Sequence, residues 1–268
     1  PMVDKALQGV YPPGSTWKMI VAAAVLGSKT WTTETSVVCN GYHQVGRRAF
    51  KCWNKRGHGR VALHEALRGS CDVYFYRAGL AMGIDEVSRY ASMFGMGEPT
   101  GVGINSESGG LNPSTDWKKR RYGERGGSWT GGDTASAVIG QGYTLATPMQ
   151  MLQMTATLAN GGLVYQPQLV DRAIAADGTT IWRGEPRVRK RVDLAPEHFE
   201  AIRSGMFAVV EEAGGTAHRQ QLKTLAYAGK TGTAQVVRLG ASNKKQFRDH
   251  AWFVAFAPYD QPEVAVVV

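Results

Sequence analysis

One stretch, Tyr11-Pro12-Pro13-Gly14-Ser15-Thr16-Trp17-Lys18, constrains this chain more than any other. Two prolines and a glycine make a stiff turn. An apolar run from Met19 to Leu26 follows without a breaker, which predicts a helix over residues 15–27. Ser15 then sits at a helix start, where unpaired backbone N–H groups point outward. Lys18, three residues on, shares its helical face. A serine hydroxyl is a poor nucleophile at neutral pH, and a desolvated neutral lysine can take its proton. An N-capping serine beside a surface lysine spells the same S-x-x-K, so the motif gains meaning only from what lies downstream.

Downstream, residues 28–60 are rich in Thr, Gly, Trp and Arg and read as a loop-rich insert. Residues 61–82 are apolar at helical spacing with a break at Gly69, and a further helix starts at Ile84 and stops at Gly95 and Gly97. Residues 98–133 read as loop, with a short helical possibility near Asp116. Thr147-Pro148 opens a strong helix that ends at Asn160-Gly161-Gly162. The Met-rich stripe of that helix suits a core. Residues 163–193 alternate and turn at Asp177-Gly178, a hairpin signal. Residues 196–212 form another helix, after which the period changes to two. Residues 230–237, 250–257 and 263–268 read as successive strands. Helices first and strands last predict an α+β fold, an antiparallel sheet packed by helices.

Two more short motifs fall at the joints of this plan. Gly69-Ser70-Cys71-Asp72 lies at the break between two helical stretches, so Ser70 and Asp72 project from one turn. A helix cap accounts for the same residues. Gly229-Lys230-Thr231-Gly232-Thr233 opens the first strand. Lys230 and Thr231 offer a positive charge and a hydroxyl to a carboxylate, and Gly232 leaves room for an extended ligand along the strand edge. The backbone N–H groups of Thr233 and Ser15 suit an oxyanion. A strand-start turn gives K-T-G as well.

S-x-x-K, S-x-D and K-T-G in this order resemble the signature shared by penicillin-binding proteins and class A β-lactamases. The likeness extends to Y-P-P-G-S-T, to G-H-G-R at 57–60, I-G-Q-G-Y at 139–143, T-P-M-Q at 147–150 and R-D-H-A-W-F at 248–253. Over essentially its whole length the chain resembles the penicillin-binding protein 2 family, elongation-specific class B D,D-transpeptidases of Gram-negative bacteria. Asp72 in place of asparagine is usual in that subgroup.

The resemblance implies a three-layer α/β/α fold of the β-lactamase/transpeptidase type with a largely helical subdomain, the whole of 1–268 forming one transpeptidase domain. It implies that Ser15 attacks the penultimate D-Ala carbonyl of a peptidoglycan stem peptide and that Lys18 accepts the serine proton. Ser70 and Lys230 would relay a proton to the departing D-Ala, Asp72 would orient this network, and Thr231 and Thr233 would hold the terminal carboxylate. An amine of a second stem peptide would capture the acyl-enzyme, and β-lactams would acylate the same serine. For Lys18 to act as a base it must lose its proton, which desolvation and a positive Lys230 nearby would favour. A D,D-carboxypeptidase or serine β-lactamase would use water instead, and no clear deacylating glutamate stands in the sequence. A non-enzymatic β-lactam sensor is the third reading, and the synthase-like segments at 139–150 and 248–253 weigh against it.

The three cysteines and one histidine follow the order Cys39, twelve residues, Cys52, five residues, His58, twelve residues, Cys71. Three thiolates and an imidazole make a closed tetrahedral zinc set, though the spacing is not that of a zinc finger. A Cys39–Cys52 disulfide with Cys71 free, or three unrelated thiols, are the alternatives. The family resemblance favours zinc, with the histidine of G-H-G-R as a ligand and with a structural role. No organic cofactor is expected. His250, Trp252, Trp53 and Tyr143 are open between packing and lining the cleft.

A formal charge of +9 suits an anionic partner or surface, and equally a merely solvated basic surface. The clusters at 117–121 and 187–191 carry no DNA- or RNA-binding motif, so nucleic acid is not expected. No apolar run reaches membrane-spanning length. The chain opens in mid-sequence and ends on an unfinished strand, which reads as a soluble piece of a longer protein. The resemblance implies a periplasmic domain of an inner-membrane protein, anchored by a missing N-terminal segment, with a SEDS-family glycosyltransferase and elongation-complex scaffolds as partners.

Overall fold

Helix α1, Lys18–Gly27, is apolar on every side, and each residue from Lys18 to Leu26 is buried. Such a helix finds no stable place at a surface, so the rest of the chain wraps around it. In this computed structural model, which describes residues 3–104, 106–234 and 249–268, α1 continues directly from a 3₁₀ turn, Gly14–Trp17.

Four short strands follow: β1 Val37–Cys39, β2 Tyr42–Val45, β3 Arg48–Lys51 and β4 Gly59–Val61. β1 pairs with β4 and β2 with β3, both antiparallel. The loop-rich insert at 28–60 thus carries two small ribbons. With Val61 at the end of β4, it packs Val37, Cys39 and Phe50 into the core from strands of three or four residues, and Cys52 from just after β3.

Helices α2, Leu63–Arg68, and α3, Asp72–Met82, flank the predicted break, and α4 is Ile84–Met93. In and just beyond residues 98–133, expected as loop with a short helical possibility near Asp116, stand two helices, α5 Thr115–Gly126, which includes Asp116, and α6 Gly131–Ala137. Their caps explain them. The Ser114 hydroxyl accepts from the Trp117 N–H, and Thr130 and Asp133 form a reciprocal capping box. α5 bends at Gly123, where φ is +68°.

Helix α7, Pro148–Ala159, starts as predicted, with proline in its first turn and a Thr147–Gln150 capping box. The next strands are β5 Leu163–Tyr165, β6 Arg172–Ile174, β7 Thr180–Arg183 and β8 Val188–Arg191. β6 and β7 form the expected hairpin around Asp177-Gly178, nested within the β5–β8 pair. Helix α8, Pro196–Glu211, leads into β9 Ala228–Ala234, β10 His250–Ala257 and β11 Val264–Val267.

These last three strands form an antiparallel sheet ordered β11-β10-β9. Lys230 lies opposite Val254, and Gly232 opposite Trp252. α7 packs on β10 and β11, while α8 runs between β9 and α2. The α+β architecture, helices packed on an antiparallel sheet, is as the sequence indicates. The expected end of the first strand, 235–237, lies outside the described residues. No helix among the described residues is long and apolar enough to cross a membrane.

Candidate active site

The 3₁₀ turn before α1 is pressed against β9. A Cβ on Gly14, whose φ is +57°, would come within 2.5 Å of the Thr233 carbonyl oxygen, so only glycine fits there. Gly232 answers from the strand. A Cβ on it would meet the Pro13 carbonyl oxygen at 2.9 Å. A side chain at Gly232 would therefore collide with the Y-P-P-G-S-T turn. The Trp252 indole donates to the Pro12 carbonyl at 3.0 Å, and Tyr11 meets His250 edge-on. Trp252 and His250, open in the sequence, clamp this turn to β10. Tyr143 instead belongs to an aromatic cluster with Trp117, Tyr122 and Trp129.

Ser15 is half-buried inside the turn, and its carbonyl accepts from the Lys18 N–H. The Lys18 side chain is fully buried. Its Nζ donates to the Ser70 carbonyl at 2.9 Å, to Ser70 Oγ at 3.1 Å and to Asp72 Oδ1 at 2.6 Å. All the protons of an ammonium are used by these bonds. Asp72 is at the first turn of α3, where a carboxylate also favours the helix dipole. Ser70 has a φ of +54°, a left-handed conformation that costs a non-glycine residue about 1 kcal/mol. It is kept there by what holds its carbonyl.

Lys230 is also fully buried, and its Nζ donates to the Thr231 carbonyl at 3.1 Å. Burial, then the positive charge of Lys18, holds it well below the ordinary lysine range, and Asp72 opposes this only partly. Lys18 thus has a carboxylate partner, whereas Lys230 is an amine whose charged form is disfavoured by burial.

Thr231 is half-buried, its hydroxyl 2.6 Å from that of Thr216, while Thr233 is exposed. The Gln141 amide donates to the Thr233 carbonyl at 3.1 Å. A strand residue projects its N–H and C=O toward the same edge, so the Thr233 N–H also faces away from β10, toward the Ser15 turn. Gln141 stood in a quoted motif without a role. Its amide closes the site from the α6–α7 loop, and nothing in the sequence around it signals that contact.

Cys39, Cys52, His58 and Cys71 come together behind this site, with their ligand atoms within 4.8 Å of one another. All three thiols are free, so the Cys39–Cys52 disulfide is not the arrangement found. His58 Nδ1 lies 3.7 Å from Cys39 Sγ and 3.5 Å from Cys52 Sγ. A tetrahedron with metal–ligand bonds of 2.0–2.3 Å has edges of about 3.6 Å, so the donor set fits a metal ion. Hydrogen bonding with Cys71, helped by His58, pulls the Cys52 thiol toward thiolate. The same pairing, with burial, pushes Cys71 up.

Trp53 links the two groups. Its backbone N–H donates to Asp72 Oδ2 at 2.9 Å, and its indole N–H reaches the carbonyls of Gly69 and Ser70 at 3.0 and 3.1 Å.

The whole chain, residues 1–268, matches the family described as penicillin binding protein transpeptidase domain. Peptidoglycan D,D-transpeptidase MrdA of Haemophilus influenzae is 38% identical over 281 residues, covering 100% of this chain and 42% of that protein. MrdA of Escherichia coli K12 is 36% identical over 278 residues, covering 100% and 43%. Among solved structures, penicillin-binding protein 2 of Pseudomonas aeruginosa superposes with a TM-score of 0.85 at 37% identity, covering 100% of this chain and 57% of the other. That of Helicobacter pylori in complex with MreC gives 0.86 at 35%, covering 100% and 47%. The chain spans about two fifths of the length of these curated relatives.

Proposed function

The chain belongs to the penicillin-binding protein transpeptidase family, and we propose that residues 1–268 act as a serine-type peptidoglycan D,D-transpeptidase domain. The observation that carries this reading is a fully buried lysine, one turn beyond Ser15, bonded to both Ser70 and Asp72. A charge assembly of this kind is expensive in a core, and perturbed ionisable groups concentrate at working sites.

Ser15 Oγ attacks the penultimate D-Ala carbonyl, and the developing oxyanion is met by the N–H groups of Ser15 and Thr233. Lys18 takes the Ser15 proton only after releasing one of its own. Ser70, bonded to its Nζ, is the route toward Lys230, the amine whose charged form burial disfavours. The ester forms as the C–N bond to the terminal D-Ala breaks, and that amine leaves with a proton relayed by Ser70 and Lys230. Thr231 and Thr233 hold the terminal carboxylate. The amine of a second stem peptide then displaces Ser15 and forms the cross-link. A β-lactam acylates the same hydroxyl and is released slowly.

Cys39, Cys52, His58 and Cys71 hold a structural zinc in this reading, a closed four-ligand set that fixes the turn between Ser70 and Asp72. The domain works in the periplasm, tethered to the inner membrane by a segment outside these residues. Its partners are a SEDS-family glycosyltransferase and elongation scaffolds, of which the MreC bound to the Helicobacter pylori protein is one example.

Incubation with a stem peptide ending in D-Ala-D-Ala and a D-amino acid acceptor tests the reaction. Transpeptidation predicts an aminolysis product that grows with acceptor concentration. Hydrolysis alone, indifferent to acceptor, would make the domain a carboxypeptidase.

A further inference from the structure

Trp53 is 59% exposed, a large apolar ring left at the surface. Burial cannot be why it is there. Its polar atoms are nevertheless fully committed. The indole N–H is shared between the Gly69 and Ser70 carbonyls, and the backbone N–H is taken by the outer oxygen of Asp72. Below the ring, His58 packs edge-on at 5.4 Å between centroids. Trp53 also follows Cys52 directly in the chain.

These contacts meet at one strained point. Ser70 is left-handed, and such a conformation persists only where its surroundings over-determine it. Two donors grip its carbonyl, Lys18 Nζ from the core side and the Trp53 indole from the solvent side. Asp72 is gripped likewise, Oδ1 by Lys18 and Oδ2 by the Trp53 backbone. Without the outer grip, Ser70 and Asp72 would depend on the same lysine that must change its proton during the reaction.

We propose that Trp53 is a positioning residue: it holds the Ser70–Asp72 turn from outside so that Lys18 can exchange its proton without the turn relaxing. The insert, through Cys52 and His58, supplies the rigid base from which Trp53 does this. The inference rests on the serine transpeptidase reading above, and its failure is separable from that reading.

The test is Trp53→Phe, which keeps an aromatic ring and the backbone N–H while removing the indole donor and part of the ring surface. Stopped-flow acylation by a fluorescent penicillin separates pre-covalent affinity from the first-order acylation step. The acylation step is expected to fall roughly five- to tenfold, the scale of one hydrogen bond lost between ground and transition state. Pre-covalent affinity, melting temperature and metal content should stay at wild-type values. Trp53→Ala, which also removes the ring, should lower acylation at least as far. Wild-type acylation in Trp53→Phe overturns the assignment, and so does a slower step accompanied by an equal loss in melting temperature or metal, which marks a purely structural role. Wild-type protein that never acquires a label at Ser15 refutes the underlying function instead.

Discussion

Lys230 shows what the site costs at the scale of a single residue. It is wholly buried, and among the described residues its Nζ donates only to the carbonyl of its neighbour Thr231. Burial and the charge on Lys18 make the unfolded chain hold the Lys230 proton more tightly than the folded one does. Stability therefore rises with pH between the lowered folded value and the ordinary 10.5. Replacing Lys230 by methionine, of similar volume, removes that penalty. Lys230→Met should be more stable than wild type by about 1 kcal/mol near neutrality, a rise of roughly 2–4 °C in melting temperature, while losing acylation. The gap should be largest below the folded-state pKa of Lys230 and close as pH rises toward 10.5. Melting curves across pH check this; a variant less stable than wild type at every pH would show that Lys230 is a net stabiliser. Ser15, Lys18, Ser70, Asp72 and Lys230 were all legible as candidates from motif order. The depth of Lys230 and the pairing of Lys18 with Asp72 were not, because they arise only when distant segments pack.

Elements differ sharply in how far local sequence announces them. α1 follows from its unbroken apolar run, α7 and α8 from a proline in the first turn, and the α2–α3 break from Gly69. β1 to β4 have no such mark. They are three or four residues long, and β1 finds β4 across the whole insert, Cys39 opposite Gly59. α5 and α6 form through side-chain caps in a glycine-rich stretch whose composition argues for loop. Trp53 escapes sequence reading for a related reason, since a backbone N–H to Asp72 leaves no side-chain signature. The ribbons of the insert meet the core through Cys39 and Cys52, so their order should follow the metal. One zinc per chain is expected by native mass measurement. Chelation should lower the melting temperature by at least about 5 °C and open the insert to proteolysis before the helices. Substoichiometric metal, with no change on chelation, would leave the four ligands as a packed thiol cluster.

Across the whole molecule the cleft is assembled from segments far apart in sequence. Lys18 reaches Asp72 over 54 positions, and Trp252 holds Pro12 over 240. The turn carrying Ser15 is thus seated by a strand near the other end of the described chain, and the site exists only when the fold is complete. That dependence is why the three motifs are weak one by one and informative together. The Ser15 hydroxyl is the atom on which the proposed chemistry depends. Intact-mass measurement after treatment with penicillin, followed by peptide mapping, tests this directly. One penicilloyl adduct on the peptide containing Ser15, absent from a folded Ser15→Ala variant, is the predicted result; an adduct mapped elsewhere, or retained by Ser15→Ala, would contradict it.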